Sequence, residues 1–133
     1  MNIMPANRAP ENAVAHFLER NDEIKKETLL YSGYVVEMNG TIEGCFSLEE
    51  MEEGIFWLKQ LYITKTEAAK LPFLIEGIVT LAKKKQAKVI YVHSHQPVID
   101  ILLEALQFHP QKESVFEEEY PIKQGSWWSY NVS

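Results

Sequence analysis

At 133 residues, with 46% hydrophobic and 24% charged content, the chain suits one globular domain (1–133) able to bury a core without staples. Its formal charge of −6 argues against a nucleic-acid partner, whose phosphates require a positive field. No apolar run would span a bilayer, the amino-terminal MNIMPANRAPEN lacks the basic-then-apolar order of a signal peptide, and the lone Cys45 excludes an internal disulfide; no membrane association and a cytoplasmic location are expected.

Residues 1–4 read as a short edge strand ended by Pro5. PENAVAHFLER follows at helical spacing, with Ala13, Val14, Phe17 and Leu18 toward one face and Pro10 at the start, where proline is tolerated. Residues 21–27 are polar and either helical or irregular. GYVVEMNGTIEGCFSLEE gives two strands around Asn39-Gly40, a pair that accepts positive φ at both positions and marks a tight hairpin. Gly44, inside the second strand, signals a bulge or the close approach of another backbone. IFWLKQLYIT is apolar at nearly every position, as a strand covered on both faces would be.

A helix then runs to about Lys85, with Ala68, Leu71, Leu74, Ile75, Ile78, Leu81 and Ala82 as its buried stripe. Its start has two readings. Either Pro72 is the first helical residue and the amides of Phe73 and Leu74 point out toward an anion, or Thr64-Lys65-Thr66-Glu67 is a capping box, the helix starts early and Pro72 kinks it. KVIYVHSH is a near-continuous apolar strand, QPVIDILLEALQF a second amphipathic helix, and SVFEEEYP and SWWSYNVS a closing pair of strands. Hairpins combined with one strand–helix–strand crossover predict an α/β (α+β mixed) fold, a mixed sheet with helices on both faces.

That order and three local strings resemble the GNAT superfamily of acyl-CoA-dependent N-acetyltransferases. VVEMNGTIEGCFSL is similar to the family's strand, Asp/Asn-Gly turn and Ile-x-Gly strand. LKQLYI resembles its fourth strand, and HQPVIDILLEALQF matches without a gap the helix that opens on Asn-Pro and closes on Gly-Phe. The resemblance implies a mostly antiparallel central sheet, acetyl-CoA as acyl donor, and transfer of an acyl group to a primary amine on a small molecule or peptide. It places donor binding at Leu61, Tyr62 and Ile63 on the fourth strand, at Lys65, Ala69, Lys70, Leu71 and Phe73 in the loop and helix start, and at Gln96.

The departures are specific. The family's Gln/Arg-x-x-Gly-x-Gly/Ala loop, whose amides bind the donor's diphosphate, falls within residues 64–71, where no glycine stands. The helix tyrosine that protonates the departing thiolate aligns with Leu103, and the strand glutamate that serves as base aligns with Gln60, which cannot take a proton near neutral pH. The resemblance therefore also implies an alternative: a catalytically inactive GNAT-like binding or regulatory module, with a homodimer formed through the late strands or the tryptophans.

Three other side chains offer replacement chemistry. His93 and His95 project to one face at the carboxyl end of a parallel strand, where α/β folds place ligands, and either is a candidate base; the plainer reading is a surface or capping histidine. Tyr62 alternates with Gln60 and is a third catalytic candidate, against a plain packing role. The His-x-His spacing lacks a third ligand, so no metal site is expected. Cys45 reads as an inert buried thiol. Glu49, Glu50, Glu52 and Glu53, and Glu117, Glu118 and Glu119, read as solvated surface or as attraction for a cationic amine. Trp127 and Trp128, adjacent on a strand, face opposite ways, which leaves one for a partner.

Overall fold

Periods of two and 3.6 resolve into seven strands and four α-helices over residues 1–113, 115–116 and 125–132, the part of the chain that the computed structural model describes. The strands are β1 (Asn2–Pro5), β2 (Gly33–Met38), β3 (Thr41–Glu52), β4 (Ile55–Ile63), β5 (Val89–Ser94), β6 (His109–Gln111) and β7 (Ser126–Asn131). The helices are α1 (Glu11–Arg20), α2 (Lys26–Ser32), α3 (Leu71–Lys84) and α4 (Pro97–Ala105). The sheet order is β1-β2-β3-β4-β5-β7-β6, mostly antiparallel, with β4 and β5 parallel. Both edge strands carry a proline, Pro5 and Pro110, at positions where a missing ladder donor does least harm. The chain forms two compact units, Met1–Glu49 with Lys59–Gly77 and Glu50–Leu58 with Ile78–Ser133.

In the first unit α1 buries Val14 and Phe17, and Glu11 and Arg20 place charge of the favourable sign at its two ends. Pro10 is its N-cap residue. Asn21 closes the helix: its backbone N–H donates to Leu18 O (3.2 Å) and its buried side-chain amide donates to Phe17 O (2.8 Å). The polar stretch 21–27, expected to be helical or irregular, runs into α2, whose pattern is faint because Leu29 is its one fully buried residue. Gly33 lets α2 pass directly into β2, since a Cβ there would lie 2.4 Å from Leu29 O. The β2–β3 hairpin turns at Asn39 (φ 54°) and Gly40 (φ 83°), as the dipeptide predicts.

The sheet register then slips. Val36 faces Gly44 but Glu37 faces Ile42, so Glu43 is an extra residue bulged out of β3. Gly44 meets both expectations placed on it, because a Cβ at this position would also come 2.7 Å from Tyr62 O of β4.

In the second unit β3 and β4 are joined by a turn at Glu53 and Gly54 (φ 78°), whose N–H donates to the Glu50 carboxylate (3.1 Å). The parallel ladder runs from Ile55↔Val89 to Leu58↔Val92, and β7 pairs along β5 from Val89↔Asn131 to Ser94↔Ser126. Of the expected strand SVFEEEYP only Val115 and Phe116 are described, and they form a bend; Glu117, Glu118 and Glu119 lie outside the described residues, and among the described residues the strand before β7 is β6, at His109–Gln111. Trp127 and Trp128 do face opposite ways, but neither is exposed. Trp128 donates to the Asp100 carboxylate of α4 (2.9 Å), while Trp127 packs on Trp57 (ring centroids 5.5 Å). No helix among the described residues is long and apolar enough to cross a membrane.

Candidate active site

The first unit contains the end of β4 and its exit into α3. Residues 59–63 continue β4 past Leu58, where the parallel ladder stops. Gln60 sits at φ 56°, a left-handed conformation that costs a non-glycine residue roughly 1–2 kcal/mol and turns the strand at that point. Cys45 Sγ lies 3.9 Å from Gln60 O, close enough for a weak S–H donor. Leu61, Tyr62 and Ile63 are half-buried. The Tyr62 hydroxyl donates to Asn21 Oδ1 (2.6 Å) and its ring tilts against Phe17 (6.1 Å), which ties β4 to the end of α1.

Beyond Ile63 the bulged Glu43 fastens Thr64 twice. Glu43 O accepts the Thr64 N–H (2.9 Å), and the Glu43 carboxylate accepts the Thr64 hydroxyl (2.6 Å). That hydroxyl is therefore turned away from capping, and Thr66 Oγ1 lies 3.3 Å from it. Residues Lys65–Lys70 form a 3-10 turn that runs without a break into α3. In such a turn each amide bonds three residues back, as the Glu67 N–H to Thr64 O (3.0 Å) and the Leu71 N–H to Ala68 O do.

Each reading of the helix start is thus half right. The chain turns helical early, as a capping box would require, but Glu67 reaches forward to Lys70 (3.0 Å) instead of back. Pro72 is the second residue of α3, in the first turn, where its missing N–H is not needed. Ala68 is exposed because the α-helix begins only at Leu71; Leu74, Ile75, Ile78 and Ala82 are buried as predicted.

Ala69 is exposed, Lys70 and Leu71 are half-buried, and Phe73 is 67% exposed. Lys70 and Phe73 share a depression of about 390 Å³ with Met1, Met38 and Asn39. Lys65 is exposed. Glu43 was not singled out from sequence, although its position before a bulge glycine was a usable signal.

The second unit holds the remaining candidates. His93 is half-buried opposite Trp127, whose ring it meets edge-on (5.2 Å), and exposed His95 is 6.4 Å away, centroid to centroid. Gly125 (φ 87°) passes so near that a Cβ would lie 2.3 Å from Ser94 O and 2.8 Å from His93 Cε1. Gln96 is the N-cap residue of α4. Its backbone N–H donates to Ser94 Oγ (3.3 Å), and its carbonyl accepts from the same hydroxyl (3.2 Å). Leu103 is buried. Among the described residues no three His, Cys, Asp or Glu side chains converge as metal ligands would. Burial first, and the charge of Glu23 second, push the Cys45 thiol up to about 12, so it is protonated at neutral pH and no nucleophile.

A parallel β4–β5 pair in a mostly antiparallel seven-stranded sheet, together with a bent β4 leading into the crossover helix, gives this chain the GNAT fold. An acetyltransferase of the GNAT family from Staphylococcus aureus Mu50 superposes with TM-score 0.72 at 16% identity, over 99% of both chains. A GNAT-family acetyltransferase from Elizabethkingia anophelis with acetyl-CoA bound gives TM-score 0.69 at 15% identity, over 98% of this chain and 97% of that one. N-acetylglutamate synthase from Neisseria gonorrhoeae, complexed with coenzyme A and N-acetyl-glutamate, gives 0.70 at 13% identity, over 99% of this chain and 35% of that one. The sequence matches no protein-family model and no curated protein.

The fold implies coenzyme A, and the junction can be tested against it. A diphosphate needs several amides aimed outward and room for its oxygens. Here the amides from Glu67 to Leu71 follow the inward pattern of a 3-10 turn, Pro72 has none, and no glycine stands among residues 64–71. Lys70 is neutralised by Glu67, and a carboxylate, Glu43, already faces Thr64. The residues of this junction do not fit the diphosphate of coenzyme A.

Proposed function

We propose that this chain is an N-acyltransferase that moves an acyl group from a thioester to a primary amine on a small molecule or peptide, chiefly by holding the two together. The observation that carries this reading is the tail of β4, residues 59–63, which outruns the parallel ladder and is turned at Gln60. A backbone edge of this kind suits the amide-bearing arm of a pantetheine thioester, which can bond to it as an added strand does. Proximity alone supplies much of the barrier reduction for such a reaction, on the order of 7–11 kcal/mol where orientation is ideal. The amine lone pair attacks the thioester carbonyl, an N–C bond forms and the C–S bond breaks. The ammonium proton goes to a base and the thiolate takes a proton from solvent.

His93 and His95 are the proposed bases. Leu61 and Ile63 are proposed to bind the donor through their backbone, and Tyr62 to position β4, since its phenol is engaged by Asn21. A second reading, a GNAT-fold binding or regulatory module without transfer, is favoured by one observation: the closed junction at residues 64–71. Thiol release and the mass of the acylated amine, measured with S-acetyl-pantetheine and a panel of primary amines, separate the two. The transferase reading expects product that requires the protein, with His93→Ala or His95→Ala lowering turnover while sparing donor binding. Absence of product across the panel would leave the module.

A further inference from the structure

We infer that the chain recognises its acyl donor without its nucleotide, taking acyl-pantetheine thioesters and giving the adenosine diphosphate part of coenzyme A no share in binding. This rests on the proposed transferase reading and names its substrate class. The inference follows from how the junction engages Thr64, Glu67, Lys70 and Leu71. Thr64 has both its N–H and its hydroxyl committed to Glu43. Glu67 and Leu71 donate inward, to Thr64 and Ala68. Of the turn's two lysines, Lys70 is held by Glu67 at 3.0 Å, and Lys65 is exposed.

An approaching diphosphate would meet the Glu43 carboxylate, a like charge, and would have to unwind the 3-10 turn to gain the amide of Glu67 or Leu71. Like charges brought together on desolvated ground repel, and each inward bond given up must be replaced. None of this touches residues 59–63, where a pantetheine arm needs only backbone. Two sources carry that chemistry, a free acyl-pantetheine or acyl-coenzyme A used only by its arm, and an acyl-phosphopantetheine arm borne on a carrier protein.

The test compares donors on the intact protein. Calorimetry with coenzyme A, pantetheine and adenosine 3′,5′-bisphosphate is expected to give equal affinities for the first two, within about threefold, and no heat for the third. Coenzyme A binding tenfold or more tighter than pantetheine, or heat from the bisphosphate, would overturn the inference. Transfer is followed in parallel with S-acetyl-pantetheine and with an acetylated phosphopantetheinyl carrier protein. A kcat/KM at least tenfold higher for the carrier assigns the arm to a carrier, and equal values assign it to the free thioester; both support recognition without the nucleotide.

Binding without turnover by any donor would sink the transferase reading, while the affinity ratio would still decide the inference. No binding by either coenzyme A or pantetheine would end both. As a positive control, Glu43→Gln combined with Leu71→Gly should raise the preference for coenzyme A over pantetheine by tenfold or more. Should that variant not fold, the affinity ratio of the wild-type protein decides alone.

Discussion

Gly44 brings the backbones of β3 and β4 closer than any side chain would permit. A Cβ at 2.7 Å from Tyr62 O has only main chain to push against, so Gly44→Ala should cost about 1–3 kcal/mol, read as a lower urea midpoint. Its neighbour Cys45 gives a pH test with a definite sign. The thiol rises from 9.0 to about 12 on folding, so the folded protein holds this proton more tightly than the unfolded chain does. The stability it contributes is complete below pH 9 and is lost as pH rises through about 12. Urea midpoints of wild type and Cys45→Ala should therefore converge or cross between pH 9 and about 12, by at most on the order of 4 kcal/mol. Tyr62→Phe removes the donor that satisfies the buried Asn21 carbonyl and should destabilise by about 1–3 kcal/mol in the same assay.

At the scale of elements, the exit from β4 is a strand, a doubly fastened threonine, a 3-10 turn and a helix, each preparing the next. Pro72 offers a check on that order. In a helix interior its removal would stabilise by about 3 kcal/mol, whereas in a first turn Pro72→Ala should change stability by less than about 1 kcal/mol, measured by thermal unfolding. Much of this architecture was legible in the sequence, where it rests on local rules. Asn39-Gly40 specified its hairpin, Gly44 its bulge, and the 3.6-residue stripe of α3 its buried face. What escaped was settled by long-range contacts. Glu67 turned to Lys70 instead of capping because Thr64 was claimed by Glu43, twenty-one residues upstream. Likewise Trp127 and Trp128, alternately facing as a strand requires, are both covered, one by Trp57 and one by Asp100. No strand pattern announces which tertiary partner will cover each face.

For the whole molecule, the GNAT fold is kept at 13–16% identity to the solved structures it resembles. Patterning and turns suffice for a fold; activity resides in particular atoms, and these must be tested singly. The proposed chemistry asks little of side chains and much of one stretch of backbone. The most direct measurement is therefore an amide-resolved NMR titration with S-acetyl-pantetheine and with coenzyme A. Amides of residues 59–63 should shift alike with both ligands, and those of residues 67–71 should stay in place. Movement of the 67–71 amides with coenzyme A alone, or no response at 59–63 to either ligand, would contradict the account.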